Sequence, residues 1–497
     1  MSRIKIGWGR REISLDEPMS LPGQGYMRIS EKVLDPMYVT ALCLEKDGQC
    51  VVFMSCDMLS PMGMEGVCDL VKERIPGFDA DWILPNGTHA HTGGARRETP
   101  EKTPDGKDIY PGEKYKEFTV RMGAEAVCEA WESRKCGGVS YGYGYAVVSH
   151  QRRSIYFEDR STGALSLAPN GHGVMYGKTN DPQFSHFETG ADHFVNALYT
   201  YDENNALTGM LVNVPCPSQV SETFCMQTAD FWHDVREAVK ETFGEGIYVL
   251  PQCAAAGDAS PRILHYLAAQ RRRMRLKYGA DYENEPDAKK KNFIKCMAER
   301  KDIAERILLA VKDIYAWSKK EILTEPELKH KVQQIPIQKR LITDEEAQEC
   351  RDKIKEMENM IPDRASCTDE EYRKAVSRYN SVKNRNTNAL ERYEKQDQEE
   401  TVIHTTVHAV QVGEVAFASN RFELYQDYMH RIQARSPFMQ TFVVQLASFE
   451  GGTYLPTERA VEAKGYSASI FCNRVGPQGG QELVEGTLRM LEALKAD

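Results

Sequence analysis

The sequence predicts an α/β fold that contains a mixed β-sheet and an inserted α-helical hairpin. Three observations lead to this prediction. Short apolar runs in the first half of the chain each end in a loop of glycine, proline and polar residues, as buried strands do in α/β enzymes. Residues 265–398 are highly charged and carry apolar residues at helical spacing. After residue 401 the β-type pattern of branched apolar residues returns.

The first half of the chain contains a predicted hairpin and several strand–loop units. The runs Met37–Leu44 and Cys50–Cys56 are joined through Asp47-Gly48, a dipeptide typical of a tight hairpin turn. The strand–loop units are Trp82–Leu84 before Gly87–Gly94, Met210–Val214 before Pro215–Gln219, and Ile247–Leu250 before Cys253–Pro261. Reactive groups are common at strand ends because a rigid sheet positions the loops, so we expect these loops to converge.

Residues 265–398 are predicted to form helices. Apolar residues recur at helical or coiled-coil spacing in the stretches 293–314, 347–361 and 372–393. Capping-box spacing occurs in Thr343-x-x-Glu346 and Thr368-x-x-Glu371, and Pro362 separates the last two helices. We interpret residues 265–398 as a helical insertion into a domain formed by residues 1–264 and 399–497. A packing or oligomerisation arm is the first interpretation of the insertion, and a lid over an active site is the second.

The composition disfavours several classes of protein. Lysine and arginine total 63 against 73 aspartate and glutamate residues, a net charge of −10, which argues against general nucleic-acid binding. No apolar run reaches about 18 residues, so we expect no membrane span. The N-terminus lacks the apolar core of a secretory signal, and an odd number of scattered cysteines is typical of reduced thiols. We therefore expect a cytoplasmic protein.

The loop Gly87–Gly94 carries the strongest chemical motif. Its histidines, His89 and His91, are separated by one residue, so on an extended backbone they point to opposite sides. One of them would bind a metal ion while the other faces a substrate. The glycines of the loop let the backbone approach a ligand closely. Two structural histidines are the alternative interpretation.

Two further strand-end loops carry candidate side chains. Cys216 lies between two prolines that would fix its direction, and a thiolate is a good zinc ligand, although a buried small apolar residue is the alternative. In the turn Gly257–Pro261, Ser260 would act as a nucleophile or as a hydrogen-bond donor to substrate. Asp258 and Ser260 would equally serve as helix caps. Ser260 is not in a G-x-S-x-G elbow, which disfavours a Ser-His-Asp esterase.

Together these segments resemble the catalytic domain of the neutral, non-lysosomal ceramidases, and more closely the uncharacterised bacterial proteins similar to it. The resemblance covers most of the chain except the helical insertion. Thr88–Gly93 is similar to the family's His-Thr-His-Ser-Gly-Pro loop, and Gly257–Pro261 is similar to its Gly-Asp-Val-Ser-Pro turn. Glu423 aligns with a zinc-binding glutamate of the family. Tyr454 and Tyr466 are twelve positions apart, as are two active-site tyrosines of the family.

The resemblance implies a role for each matched residue. The implied zinc ligands are His89, Cys216, Glu423 and Tyr454. The implied catalytic residues are His91, Arg153, Ser260, Tyr466 and Asp258. The arginine assignment has an alternative, because Arg152 is adjacent to Arg153. Cys216 stands where the family has a second histidine, so either a thiolate completes the zinc site or the metal is weak, different or absent.

The sequence therefore predicts a zinc-dependent hydrolase that cleaves an amide-type or related bond in a small-molecule substrate. Zinc would lower the pKa of a bound water towards about 7 and would polarise the scissile carbonyl. Hydrogen-bond donors of the protein would stabilise the developing oxyanion. Ceramide itself is not the expected substrate, because a zinc-binding histidine is replaced and no immunoglobulin-like domain follows the tyrosine pair.

Two alternative functions use other features of the chain. A carbohydrate-active enzyme on the same scaffold would use the polar and aromatic groups of residues 171–177 and 188–193, with Asp192 and His193 as acid–base groups. A non-enzymatic assembly protein would use the helical insertion as its binding part, but the number of site-like residues disfavours it. We also expect a homo-oligomer.

Overall fold

The computed structural model describes residues 2–161, 163 and 165–496. The N-terminal region forms a five-stranded mixed sheet with two helices. Its elements are β1 (Lys5–Glu12), β2 (Tyr38–Lys46), β3 (Gln49–Cys56), α1 (Gly66–Arg74), β4 (Ile83–Gly87), α2 (Gly112–Glu132) and β5 (Lys135–Cys136). The strand order is β4-β3-β2-β1-β5, in which β3 and β4 run parallel. The predicted hairpin turn is confirmed, because Asp47 and Gly48 have φ values of 51° and 81°, as a type I′ turn requires.

The middle region forms a four-stranded sheet and a smaller three-stranded sheet. Its elements are β6 (Gly138–Tyr145), β7 (His150–Gln151), β8 (Arg153–Arg160), β9 (Gly171–Met175), β10 (Phe184–Phe187), β11 (Phe194–Tyr201), β12 (Leu207–Val214), α3 (Phe231–Phe243), β13 (Tyr248–Cys253) and β14 (Ala259–Ser260). The sheet orders are β13-β12-β11-β6 and β10-β8-β9, and β7 pairs with β14. Because β12 and β13 are parallel, the loops that follow them leave the same edge of the sheet.

The region predicted as a helical insertion contains four α-helices and one strand. These are α4 (Leu267–Tyr278), α5 (Ala288–Ser318), β15 (Leu328–Gln338), α6 (Asp344–Met357) and α7 (Asp369–Lys395). Both predicted capping boxes are present: Thr343 caps α6 and Thr368 caps α7. Helices α6 and α7 pack against each other as a hairpin through small apolar contacts that include Ala347, Cys350 and Ala389.

The C-terminal region forms a four-stranded mixed sheet, whose edge strand β15 belongs to the preceding region. Its elements are β16 (Val402–Val412), β17 (Val415–Ser419), β18 (Glu423–Leu424), α8 (Gln426–Arg435), β19 (Gln440–Val444), β20 (Tyr454–Leu455), α9 (Glu458–Ala463) and α10 (Pro477–Ala496). The strand order is β15-β16-β17-β19, and β15 pairs with β16 along its whole length. The long helix α5 packs on the middle sheet. The division of the chain at residues 265 and 398 stays a prediction. Two elements of the proposed insertion, β15 and α5, nevertheless contribute to the core formed by the rest of the chain.

Three sheets meet at a central apolar core, which explains how the chain positions its loops. The core includes Trp8, Leu42, Phe53, Leu198, Leu211, Leu250, Val410, Phe417 and Phe442. The rings of Phe53 and Phe417 lie 4.8 Å apart and join the N-terminal and C-terminal sheets. Helices cover the outer faces of the sheets, so the predicted α/β class with mixed sheets is confirmed. No described helix is both long enough and apolar enough to cross a membrane.

Candidate active site

The histidine loop begins where strand β4 ends. β4 runs parallel to β3, and its last residue, Gly87, is followed by Thr88 and His89. The loop after β12 lies beside it, because the amide of Ser218 donates a hydrogen bond to the carbonyl of Thr88 at 3.2 Å. These two strand-end loops therefore meet, as their positions after buried strands led us to expect.

The turn Gly257–Pro261 lies against the short strand β18. The amide of Gly257 donates to the carbonyl of Leu424 at 2.7 Å. A Cβ atom on Gly257 would lie 2.3 Å from the carbonyl oxygen of Glu423, so this approach requires glycine. β18 pairs in parallel with β20, and this register sets Glu423 directly opposite Tyr454. Two predicted site residues from distant parts of the chain are thereby neighbours.

His89 presents its imidazole to a carboxylate. Its Nδ1 lies 3.2 Å from the carbonyl oxygen of Leu59, which can only accept, so Nδ1 carries a proton. Its Nε2 lies 3.3 Å from Oε2 of Glu423 and 3.4 Å from Nε2 of His91. Because a carboxylate offers only lone pairs, the His89–Glu423 contact is favourable when a cation, a second proton or a metal ion, lies between the two atoms.

Glu423 is largely buried and is surrounded by groups that favour its charged form. Burial would raise the pKa of its carboxyl, but the attraction of His89 and of the Arg152 guanidinium outweighs burial. The pKa of Glu423 therefore lies below its ordinary value. A hydrogen bond with Tyr454 acts in the same direction. The carboxylate is the negative centre of the site.

Arg152 is a buried cation in contact with this centre. Its Nη2 donates to the hydroxyl of Tyr454 at 3.1 Å and to the carbonyl of Gly257 at 2.7 Å, and it lies 4.0 Å from Oε2 of Glu423. Burial alone would lower the pKa of Arg152. Tyr454 and other neighbouring groups have a larger opposite effect, so the pKa of Arg152 lies well above its ordinary value. Burial also raises the pKa of Tyr454 well above its ordinary value, so its hydroxyl keeps its proton.

Tyr466 connects the buried cluster to an open cavity. Its ring centroid lies 6.0 Å from that of Tyr454, in an edge-to-face arrangement. The hydroxyl of Tyr466 accepts a hydrogen bond from Nη2 of Arg385, on α7, at 3.0 Å. Burial raises the pKa of Tyr466 to about 12. Tyr466 also lines a cavity of about 410 Å³, together with Tyr156 and Tyr176.

The structure places Arg153 differently from its predicted position beside the other candidate residues. Nε of Arg153 donates to Oε2 of Glu188 at 2.7 Å, and its Nη2 donates to the carbonyl oxygens of Ala460 and Lys464. Arg152, rather than Arg153, contacts Tyr454 and Glu423. Arg153 begins strand β8, and successive side chains of extended backbone point in opposite directions, so one of two adjacent arginines faces the site and the other does not.

Cys216 does not join the cluster of predicted ligands. Its Sγ donates to the carbonyl of Val148 at 3.2 Å, and its side chain packs in the apolar core between the middle sheet and α5. Burial raises the pKa of the Cys216 thiol well above its ordinary value, so the thiol stays protonated. This is the alternative interpretation of a lone cysteine, a small buried apolar residue.

The four predicted ligands therefore do not fit zinc as a set. Three of them, His89, Glu423 and Tyr454, lie together, but Cys216 faces the core. The guanidinium of Arg152 lies against the hydroxyl of Tyr454 and near the carboxylate of Glu423. Within the part of the chain that the structure describes, no group of three or more histidine, cysteine, aspartate or glutamate side chains is arranged to hold a metal ion.

The predicted serine turn has mainly structural contacts. Oγ of Ser260 accepts a hydrogen bond from the amide of Arg262 at 3.1 Å. Oδ1 of Asp258 accepts from the amide of Gln426, the first residue of α8, at 3.0 Å, and Oδ2 accepts from Nε2 of Gln151 at 3.2 Å. Asp258 therefore accepts a hydrogen bond from the first amide of α8, a helix distant from it in the sequence. Burial raises the pKa of its carboxyl.

Three residues near the site were not predicted from the sequence. Gln219 and Glu222 contact the two ring nitrogens of His91, at 2.8 Å and 3.4 Å respectively. Arg385 contacts Tyr466 from the helical hairpin. In the structure the loop after β12 continues past Gln219 to Glu222, so both residues belong to the same strand-end loop as Cys216, Pro215–Glu222. That position is the sequence feature that would have indicated them. No motif of the sequence marks Arg385, which reaches Tyr466 only through the packing of α7.

Comparisons with known proteins identify the fold. No family model matches the chain, and no curated protein matches it in sequence. The structure is similar to the crystal structure of neutral ceramidase from Pseudomonas aeruginosa, with a TM-score of 0.66, 14% identity, and coverage of 99% of this chain and 75% of that chain. It is also similar to a structure of ceramidase complexed with C2, with a TM-score of 0.64, 14% identity, and coverage of 100% and 76%. The predicted resemblance is thus confirmed for the fold, which is that of the neutral ceramidase structures.

Proposed function

We propose that this protein is a hydrolase that cleaves an amide-type or related bond in a polar small molecule. The fold, shared with the neutral ceramidase structures, and the cluster of polar side chains at the strand ends support this proposal. The observation that carries it is the position of Tyr466, which contacts Tyr454 inside the cluster and also lines the cavity of about 410 Å³. A substrate in this cavity would reach the buried donors through Tyr466.

The donors of the site suit a developing oxyanion. Arg152 is permanently charged, and the hydroxyls of Tyr454 and Tyr466 keep their protons at neutral pH because burial raises the pKa of each. These groups are held by the protein before substrate binds, so they need no reorganisation during the reaction. One such donor typically contributes a factor of about 10² to 10³ in rate.

The His89–Glu423 pair would act as general base and then as general acid. In the state in which no proton lies between His89 and Glu423, an attacking water forms a C–O bond to the carbonyl carbon and transfers one proton to this pair, while the carbonyl oxygen takes the negative charge. The pair then passes a proton to the leaving nitrogen as the C–N bond breaks. The distance of 3.3 Å between Nε2 of His89 and Oε2 of Glu423 allows one proton to be shared between them.

Zinc is the cofactor that the resemblance implies, and it stays a prediction. Bound zinc would supply a Lewis acid for the carbonyl and a more acidic water. The mechanism above uses protein groups alone, because Cys216 faces the core and the predicted ligand set does not fit the ion. Cytoplasmic location and a homo-oligomeric state likewise stay predictions.

The cavity beside Tyr466 favours a polar substrate over a long acyl chain. Its lining combines tyrosine rings with charged and hydroxyl side chains. These include Tyr156, Tyr176, Arg160, Lys178, Asp181 and Ser161. Aromatic rings beside hydrogen-bonding groups suit hydroxylated molecules, and an acyl chain would need a continuous apolar groove. The same lining supports a second candidate function, a carbohydrate-active enzyme.

The acid–base groups proposed for that second candidate are arranged differently from the sequence expectation. Oδ2 of Asp192 accepts a hydrogen bond from Nε2 of His430 at 2.8 Å, and its Oδ1 accepts from the amide of Phe194. Neither Asp192 nor His193 lines the cavity. A glycosidase would therefore have to use the His89–Glu423 cluster rather than these residues.

A panel of small-molecule substrates separates the two candidates. Purified protein is assayed with N-acetylated amino sugars, short and long N-acyl p-nitroanilides, and p-nitrophenyl glycosides. We expect amine release from the polar, short-chain amides, with loss of that activity in Arg152→Ala and His89→Ala. Release of p-nitrophenol from glycosides without any amine release would overturn the hydrolysis of amides and support the second candidate.

A further inference from the structure

The side-chain amide of Gln219 has its orientation fixed by its neighbours. Its Oε1 lies 3.4 Å from Nη1 of Arg152 and 3.5 Å from the hydroxyl of Tyr176. A guanidinium carries only donors, so the end of the amide that faces Arg152 must be the oxygen. Nε2 of Gln219 therefore faces Nε2 of His91, at 2.8 Å.

This orientation decides which nitrogen of His91 carries the proton. The amide nitrogen of Gln219 can only donate, so Nε2 of His91 must accept and the proton of the neutral ring lies on Nδ1. Nδ1 of His91 is buried and has no hydrogen-bond partner of good geometry among the described residues. The carboxylate of Glu222 lies 3.4 Å from it, at ion-pair distance.

Glu222 is held on the Nδ1 side of His91 by a second contact. Its other oxygen, Oε1, lies 2.5 Å from Nη2 of Arg262. The Arg262 guanidinium lies over the ring of Tyr176, with 5.2 Å between its carbon and the ring centroid. Glu222 and His91 are both buried, so the carboxylate has little exposure to water that would compete for it. The two sides of the imidazole thus meet a donor and an acceptor from the same loop.

We propose that Gln219 and Glu222 are positioning residues that hold His91 as one tautomer, with its proton on Nδ1 and the lone pair of Nε2 facing the site. Nε2 of His91 lies 3.4 Å from Nε2 of His89, so the accepting nitrogen faces the proposed proton pathway. The consequence for catalysis rests on the proposed function, whereas the tautomer itself does not. Neither residue needs to contact substrate for this role.

The tautomer is measured directly by NMR. Protein with ¹⁵N-labelled histidine rings gives long-range ¹H–¹⁵N correlations at pH 8, and the His91 signals are those lost in His91→Gln. We expect the wild-type pattern of a ring protonated on Nδ1. Gln219→Glu replaces the donor with an acceptor of the same shape, so Nε2 of His91 must gain a proton and the pattern must change.

A matched control and a second variant make this test decisive. Gln333→Glu makes the same change at an exposed position of β15 and should keep the wild-type His91 pattern. Gln219→Leu removes both ends of the amide and should give a mixture of tautomers. Protonation of Nε2 in the wild type, or an unchanged His91 pattern in both Gln219 variants, would overturn the proposal.

The kinetic consequence is tested at Glu222. We expect Glu222→Gln to lower kcat by about 10- to 100-fold, the usual effect of losing a group that orients a functional histidine, with little change in KM. Glu222→Asp retains the charge and should recover part of the loss. An equal loss in both variants, or a loss confined to KM, contradicts the positioning role. If the protein hydrolyses no substrate, the proposed function is wrong. The NMR experiment still determines which tautomer His91 adopts.

Discussion

The two loops that meet at His91 direct their side chains differently. The histidine loop, Gly87–Gly94, turns both imidazoles towards the site, and not to opposite sides as predicted for an extended backbone. The backbone is not extended there, because His89 has a φ of 65° that few residues other than glycine adopt. The neighbouring loop, Pro215–Glu222, buries Cys216 in the core and presents Gln219 and Glu222 to the site. The position of a loop therefore does not determine which of its side chains reaches the site.

The difference between the loops has a simple energetic origin. A thiol is a weakly polar group that is readily buried among apolar side chains, and Cys216 is buried in the apolar core cluster that includes Val212 and Val214. An amide or a carboxylate loses several kcal/mol if it is buried without partners, about 2–7 kcal/mol for a neutral polar group. Gln219 and Glu222 are therefore stable only where His91, Arg152 and Arg262 supply those partners.

The largest effect is expected at Arg152, which contacts Gln219 of the loop Pro215–Glu222 and also Tyr454 of β20. Arg152→Ala removes the hydrogen bonds to Tyr454 and Gln219. We expect kcat/KM on the best amide substrate to fall by about 10² to 10³-fold, the typical effect of losing one oxyanion donor. Steady-state kinetics on folded protein, checked by circular dichroism, measure this effect.

Arg153→Ala is the matched control for Arg152→Ala. The Arg153–Glu188 pair is buried, and breaking such a pair typically destabilises a protein by about 3–5 kcal/mol. We therefore expect a lower free energy of unfolding in urea and nearly normal kcat/KM per folded molecule. A large kinetic loss in Arg153→Ala with normal kinetics in Arg152→Ala would restore the original assignment.

A smaller effect is expected from the helical hairpin. Arg385→Ala removes the hydrogen bond from α7 to the hydroxyl of Tyr466. We expect KM to rise about tenfold, which corresponds to a hydrogen bond of about 1.4 kcal/mol, with a smaller change in kcat. Lys383→Ala, at an exposed position of the same helix, is the control. A changed oligomeric state in gel filtration with unchanged KM would instead support the arm interpretation.

The smallest effect is expected at Cys216. Cys216→Ser should leave the number of zinc ions per chain equal to that of the wild type, because the thiol faces Val148 rather than the His89–Glu423 pair. The hydroxyl is less suited to the apolar surroundings, so we expect a loss of about 1 kcal/mol in the free energy of unfolding. Plasma mass spectrometry of wild type, His89→Ala and Cys216→Ser measures zinc. Zinc lost in Cys216→Ser would show that the thiolate is a ligand.

Much of the fold was predictable because its strands and helices are locally encoded. The apolar runs before the site loops, the Asp47-Gly48 turn and the capping boxes at Thr343 and Thr368 each depend on a few neighbouring residues. Strand β15 was not predicted, since Leu328–Gln338 is mostly polar and contains Pro336. Proline is tolerated there because β15 is at the edge of its sheet, a property that depends on the whole fold.

The residues of the candidate site could be predicted where they follow a sequence motif. They could not be predicted where the direction of a side chain determines whether it reaches the site. The pairing of β18 with β20 brings Glu423 beside Tyr454, and Tyr466 lies close to Tyr454, which agrees with the spacing of the tyrosine pair. The choice between Arg152 and Arg153 depends on which of two successive side chains faces the site at the start of β8. The choice of Gln219 over Cys216 depends on which neighbours the folded chain brings to each side chain.

The loop Pro215–Glu222 contacts the site through Gln219 and not through Cys216. The most direct measurement is kcat/KM for Gln219→Leu and Cys216→Ala, side by side on the same amide substrate and normalised to folded protein. We predict a loss of about 10- to 100-fold in Gln219→Leu and a change of less than about threefold in Cys216→Ala. A large loss in Cys216→Ala with near-normal kinetics in Gln219→Leu would show instead that the loop acts through Cys216.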